Sequence, residues 1–163
     1  MIAWTPDGIG TAQTPILAIG TTTGLYVVSG SVKYDITPTA VSSAGNNANR
    51  LWSLDVFGAY LVATATVKGD YTKSLGPFVW QCNTAAVAAL MSGAMNSPQS
   101  IVVTPERFVV ELGGLAAVPE LASVPSSRTV FWPSQEGFTD WTPSAINTAG
   151  DFNLTTEGSL VCG

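Results

Sequence analysis

Short apolar runs broken by turn residues recur three times along the chain, and this recurrence constrains the fold more than any other feature. "ILAIG" (16–20) and "LYVVSG" (25–30) flank the turn-like "TTTG", and "VKYDI" (32–36) follows after Gly30 and Ser31. Runs of this length, rich in β-branched and aromatic residues and closed by Gly- and Thr-containing links, read as hairpin-connected strands. The pattern returns in "LWSLDVFGAYLVATATV" (51–67), reversed near Phe57-Gly58-Ala59, and "PFVWQC" (77–82) follows the polar loop "KGDYTKSLG". A third copy starts at "SIVVTPERFVVELGG" (100–114), turns at Thr104-Pro105-Glu106, and adds "RTVFW" (128–132) after a Pro- and Ser-containing loop.

Laid over one another, "LYVV" from Leu25, "YLVA" from Tyr60 and "FVVE" from Phe108 read as second strands, 35 and 48 residues apart. "VKYDI", "PFVWQ" and "TVFWP" read as third strands, each with an aromatic near its middle. A unit of about 40 to 50 residues built from successive antiparallel strands is the pattern of a propeller blade. The expected fold is therefore all-β and β-propeller-like, with about three antiparallel blades of three or four strands. The blades should fall at about residues 15–37, 51–82 and 100–154 of a single all-β domain spanning 1–163. A β-sandwich would carry the same strand content without the unit period. Propellers close with about four to eight blades, so three units are expected to belong to a longer propeller-containing chain. One segment departs from the strand pattern: "NTAAVAALMSGAMNSP" (83–98) is rich in helix-favouring Ala, Leu and Met. Asn83 or Thr84 would cap it and Gly93 would end it. It is expected to form a short helix or loop lying on the sheet between blades.

Absent residues exclude much chemistry. The chain has no histidine, which removes Ser-His-Asp and Cys-His nucleophile systems and every His-dependent zinc site. Cys82 and Cys162 stand 80 positions apart, matching no metal-ligand spacing and no CxxC motif. They read as two unpaired thiols, with one long-range disulfide as the alternative. "GIG" (8–10) and "GTTTG" (20–24) do not lead from a strand into a helix, so neither cradles phosphate. Eleven acids against six bases give a net charge of −5, and of the bases, Arg50, Lys68, Lys73, Arg107 and Arg128 are scattered singly, with Lys33 inside the strand-like "VKYDI". That is no footprint for a nucleic-acid backbone. No apolar run approaches the roughly 18 residues of a membrane helix, and "MIAWTPDGIG" lacks the basic start and apolar region of a signal peptide. No catalytic, cofactor-binding or metal-ligating residue is assigned, and no cofactor is called for.

The aromatics need a reason of their own. "RTVFWPSQEGFTDWTPSAINTAGDF" (128–152) sets Phe131, Trp132 and Trp141 among turn residues. Each such side chain covers about 150–250 Å², enough to seal a gap between blades. Trp52, Trp80 and Trp132 are expected to be mostly buried, and the turn "FTDW" to carry Trp141 back against the sheet. "TAGDFNL" would be the next strand, with Phe152 and Leu154 on one face. A glycan-binding propeller would instead expose Trp80, Trp132, Trp141 and Asp140. A glycosidase would need two carboxylates about 5–10 Å apart across a pocket. Asp35, Asp55 and Asp70 lie in or beside strands, and Glu136 and Asp140 share one loop. They are expected to bond their own backbone in turns, and the chain is read as no enzyme.

Four segments together resemble a known family: "GTTTGLYVVSGSVKYDITPT", "WSLDVFGAYLVA", "ERFVVELGG" and the aromatic passage extended through "NL". In this order they are similar to tail or neck structural proteins of tailed bacteriophages, closest to the tail-tube or nozzle proteins of short-tailed phages. The resemblance covers the chain from about Pro15 onward. It implies a virion structural role without catalysis, made in the host cytoplasm and assembled into a phage tail. The implied partners are copies of the chain itself and adjacent tail or portal proteins, with passive contact to DNA in transit. The alternative is a glycan- or protein-binding propeller module.

Overall fold

A computed structural model of the chain describes residues 1–6, 14–68, 70–114 and 126–154. Twelve strands among them form three four-stranded antiparallel sheets, each a meander. Sheet 1 contains β1 (Ile2–Trp4), β2 (Ile16–Gly20), β3 (Leu25–Ser29) and β4 (Val32–Asp35). Sheet 2 contains β5 (Arg50–Phe57), β6 (Tyr60–Val67), β7 (Leu75–Trp80) and β8 (Ala89–Leu90). Sheet 3 contains β9 (Ser100–Val103), β10 (Val109–Gly114), β11 (Ser126–Trp132) and β12 (Gly150–Asn153). Two reversals are two-residue hairpins, with Gly30 (φ 61°) between β3 and β4 and Gly58 (φ 61°) between β5 and β6. Such tight turns need left-handed backbone, which glycine adopts without a steric penalty.

The repeat is real, but the first unit is shifted by one strand. β1 is the three-residue "IAW", so "ILAIG" becomes the second strand of its sheet and "LYVV" the third. With that correction the second strands begin at Ile16, Tyr60 and Val109, 44 and 49 residues apart, a more even period than the sequence comparison produced.

The sheets stand side by side as blades in an open, propeller-like arrangement. The first strands meet: β1 and β2 pack on β5, and β5 and β6 pack on β9. The middle sheet is therefore covered on both faces. Successive strand residues point to opposite faces, and in β6 Leu61, Ala63 and Ala65 face sheet 1 while Val62 faces sheet 3. In β7, Phe78 and Trp80 face sheet 1 and Val79 faces sheet 3. This double burial is why "YLVATATV" reads as a nearly unbroken apolar run.

The seam between sheets 1 and 2 is apolar. Ala18, Leu25 and Val27 meet Leu61, Ala63, Phe78 and Trp80 there. A single-turn helix, α1 (Thr39–Ala44), closes it by burying Val41, and Gly45 (φ 70°) ends the helix. The Ala-rich segment 83–98 takes the loop form and not the helical one. It contributes β8, and Met91, Ala94 and Met95 fill the second seam, between sheets 2 and 3.

Candidate functional site

Side chains from β5 build the second seam. β9 is the outermost strand of sheet 3 on this side, so half of its backbone groups point away from β10. Unpaired edge groups of this kind would invite a foreign strand. Ser53 occupies the first of them: its Oγ donates to Ile101 O at 3.0 Å, accepts from Ile101 N at 3.2 Å, and lies 2.9 Å from Ser100 Oγ. Asp55 occupies the next. Its Oδ2 accepts from Val103 N at 2.7 Å and its Oδ1 from its own Val56 N at 2.8 Å. Further along, Thr66 Oγ1 donates to Gln99 O at 2.6 Å, and Thr64 Oγ1 sits 3.0 Å from Pro98 O and 3.1 Å from Leu75 O. A row of short polar side chains thus replaces the strand that β9 lacks on this side.

Glu111 is the one acid wholly buried among the described residues (0% exposed). On β10 it lies between Ile101 and Phe131, facing sheet 2. Met95 N donates to its Oε2 at 3.0 Å, while Oε1 has no hydrogen-bond partner. Desolvation pushes the carboxyl well above the usual range, and the Met95 bond only partly offsets it. Burial thus favours the protonated over the charged form of Glu111. Arg50 is the buried base: it donates from Nη1 to Thr22 O at 2.9 Å, and desolvation lowers its pKa.

The tryptophans named from the sequence are fastened to the chain's own carbonyls. Trp80 is buried, donates to Asn83 O and Ala86 O at 3.0 and 3.1 Å, and meets Trp4 edge to face at 6.5 Å. Trp141 is buried, donates to Phe138 O at 2.9 Å and lies 5.3 Å from the Phe131 ring. Trp52 and Trp132 are half-buried, less than expected. Trp52 donates to Thr21 O at 2.8 Å and lies against Gly20, where a Cβ would stand 2.2 Å from its Cγ. Trp132 donates to Thr148 O at 2.8 Å. With Thr104, Glu106, Phe108 and Val110 it lines an open groove of about 280 Å³ on the outward face of sheet 3. Trp4 Nε1 reaches Ala59 O at 3.4 Å, so all five tryptophans of the chain bond internally.

The carboxylates do likewise. Asp35 Oδ1 accepts from Thr37 N at 2.9 Å. Asp70 is partly exposed and bonds Thr72 and Lys73; those bonds, the Thr72 one foremost, lower its pKa. Glu136 pairs with Arg107, whose guanidinium also lies 4.6 Å from the Phe57 ring centre. Asp140 Oδ2 accepts from Asn147 Nδ2 at 2.8 Å. Asp55 and Glu136 depart most from the turn reading: Asp55 bridges two sheets and Glu136 pairs with an arginine 29 positions away, while Asp140 bonds the Asn147 side chain. Among the described residues no three His, Cys, Asp or Glu side chains gather as a metal site, and no helix is long and apolar enough to cross a membrane. The Cys82 thiol donates to Ala59 O at 2.7 Å, and burial pushes its pKa up to about 11. Cys82 is a free thiol; Cys162 lies outside the described residues.

Sequence reasoning missed Glu111 and the role of Ser53 and Asp55. A parity signal for Glu111 was present, because Val109 and Glu111 are two apart in "FVVE" and must share a face. No family model, curated protein or solved structure matches the chain.

Proposed function

We infer that the chain is a structural component of a phage tail, of the tail-tube, nozzle or neck kind. In this reading it works by assembling with copies of itself and with neighbouring virion proteins, and performs no catalysis. The observation that carries the reading is that all five indole N–H groups are bonded to the chain's own carbonyls. Aromatics used this way seal blades together and leave no donor for a ligand. The four resembling segments supply the family, and they coincide with β3 to β4, β5 to β6, β10 and the β11 to β12 passage.

The test is mass spectrometry of purified, nuclease-treated virions from a culture whose phage carries this gene. Peptides of this chain should co-purify with capsid and portal peptides at a fixed ratio. Their absence from particles in which those peptides are abundant would refute the reading.

The second reading, a glycan-binding module, rests on the groove beside Trp132, where a half-exposed indole and the Glu106 carboxylate share an open concavity. Saturable quenching of tryptophan fluorescence by an oligosaccharide, lost in Trp132→Ala, would favour it.

A further inference from the structure

The middle sheet is covered on both faces, whereas each outer sheet has one largely apolar face that no other described sheet covers. On sheet 3 this face is made by Val102, Val110, Leu112, Val130, Trp132 and Phe152, the residues alternating with those turned toward sheet 2. Val102 is 39% and Phe152 56% exposed. On sheet 1 the corresponding face carries Leu17, Ile19, Tyr26 and Val28, which are half-buried, with the exposed Lys33 and Asp35 opposite Val28 and Tyr26 at its β4 edge. The two faces have opposite senses. Going from sheet 1 to sheet 3, one is the leading face of the last blade and the other the trailing face of the first.

We propose that a second copy of this chain occupies both faces, the leading face of each copy docking on the trailing face of the other, so that two copies close a six-bladed ring. Three observations select this occupant. The two seams inside the chain already join a leading face to a trailing face, so the new contact continues an existing kind of interface. Closed propellers hold about four to eight blades, and two copies of the three described blades supply six. The area also suffices. Four strands about 4.8 Å apart and about 17 Å long present about 300 Å² per face, so four faces bury about 1,300 Å², within the range of stable interfaces. Head-to-tail contacts that close after two steps give a two-fold dimer rather than a filament.

The inference deepens the assembly reading above by naming the partner and the faces, and rests on that reading only for self-association. Its test is the mass in solution, by sedimentation equilibrium at about 50 µM, above the micromolar dissociation constants that interfaces of modest area can show. The chain of 16.9 kDa should sediment at twice that mass. Val102→Glu with Phe152→Glu should reduce it to the monomer. Val87→Glu, at an exposed position in the loop after β7, should leave the dimer intact. Val28→Glu on the trailing face should also give monomers. Mixing it with the leading-face variant should restore association through the one seam both retain. A wild-type monomer, a dimer that survives the leading-face double substitution, a mass that grows without limit, or variants that do not complement would each overturn the proposal. A monomer leaves the virion assay untouched, and absence from virions leaves the dimer standing.

Discussion

Replacing Glu111 by Gln should change how stability depends on pH. In the folded chain the carboxyl is wholly buried, with Met95 N–H on Oε2 and nothing on Oε1, and burial raises its pKa well above the usual value. The folded state holds the proton to higher pH than the unfolded chain does. Stability is therefore complete below the unfolded value of about 4.3 and falls as pH rises toward the folded pKa, by about 1.4 kcal/mol per pH unit within that window. Gln has no proton to lose. Its Oε1 can accept from Met95 N–H, while its amide hydrogens replace the carboxyl proton and lack acceptors, a pH-independent cost of about 1–3 kcal/mol. The constant offset can take either sign, so the slope is the test. Urea unfolding at pH 5, 6 and 7 should show Glu111→Gln gaining on the wild type by about 1.4 kcal/mol per unit while the window lasts. Asp70 contributes the opposite sense, its lowered pKa stabilising above the unfolded value and the contribution fading in acid, but it is common to both proteins and cancels. Parallel pH profiles would mean that Glu111 is ionised in the folded chain, and the reasoning from burial would fail.

Trp80→Ala should cost about 3–5 kcal/mol in chemical denaturation, as a large side chain emptied from a sealed seam. Trp132→Ala should cost about half of that, because its indole is already half in water; equal losses would contradict the burial difference. Asp55→Ala strands Val103 N–H in the second seam and should cost about 1–3 kcal/mol, with hydrogen exchange at Val103 accelerating more than at Val27. Duplex DNA at low salt should not bind the chain, whose net charge is −5; micromolar binding that weakens steeply with added salt would remove the idea of a passive DNA conduit.

What the sequence discloses depends on how local the cause is. The strands of β5, β6 and β7 were legible because both faces of the middle blade are buried, so nearly every residue is apolar. β1 was not, since three residues of "IAW" cannot display a period, and this one omission displaced the first repeat by a strand. α1 escaped for the same reason: "TAVSSA" is less than two turns long and is set by the seam that Val41 fills. The segment 83–98 has helix-favouring composition, but Met91, Ala94 and Met95 serve the gap between sheets 2 and 3, and packing there outweighs propensity. The roles of Ser53 and Asp55 were not legible, because the backbone they bond is 48 positions away. Turn carboxylates such as Asp35 and Asp70 were legible, their partners lying within three residues.

Among the described residues the backbone ladder of every strand runs only to its neighbours in sequence, and that has a consequence for how the protein is made. The loops that must close for a blade to form are short, so the entropy lost at each closure is small and pairing can proceed locally. A nascent chain leaving the ribosome can complete sheet 1 once Asp35 is out, before Arg50 and the first strand of sheet 2 have emerged. The vulnerable interval then lies between blades. Until Leu61, Phe78 and Trp80 arrive, Leu25 and Val27 stand in water on a finished sheet, offering a ready surface to a chaperone or to a neighbouring nascent chain.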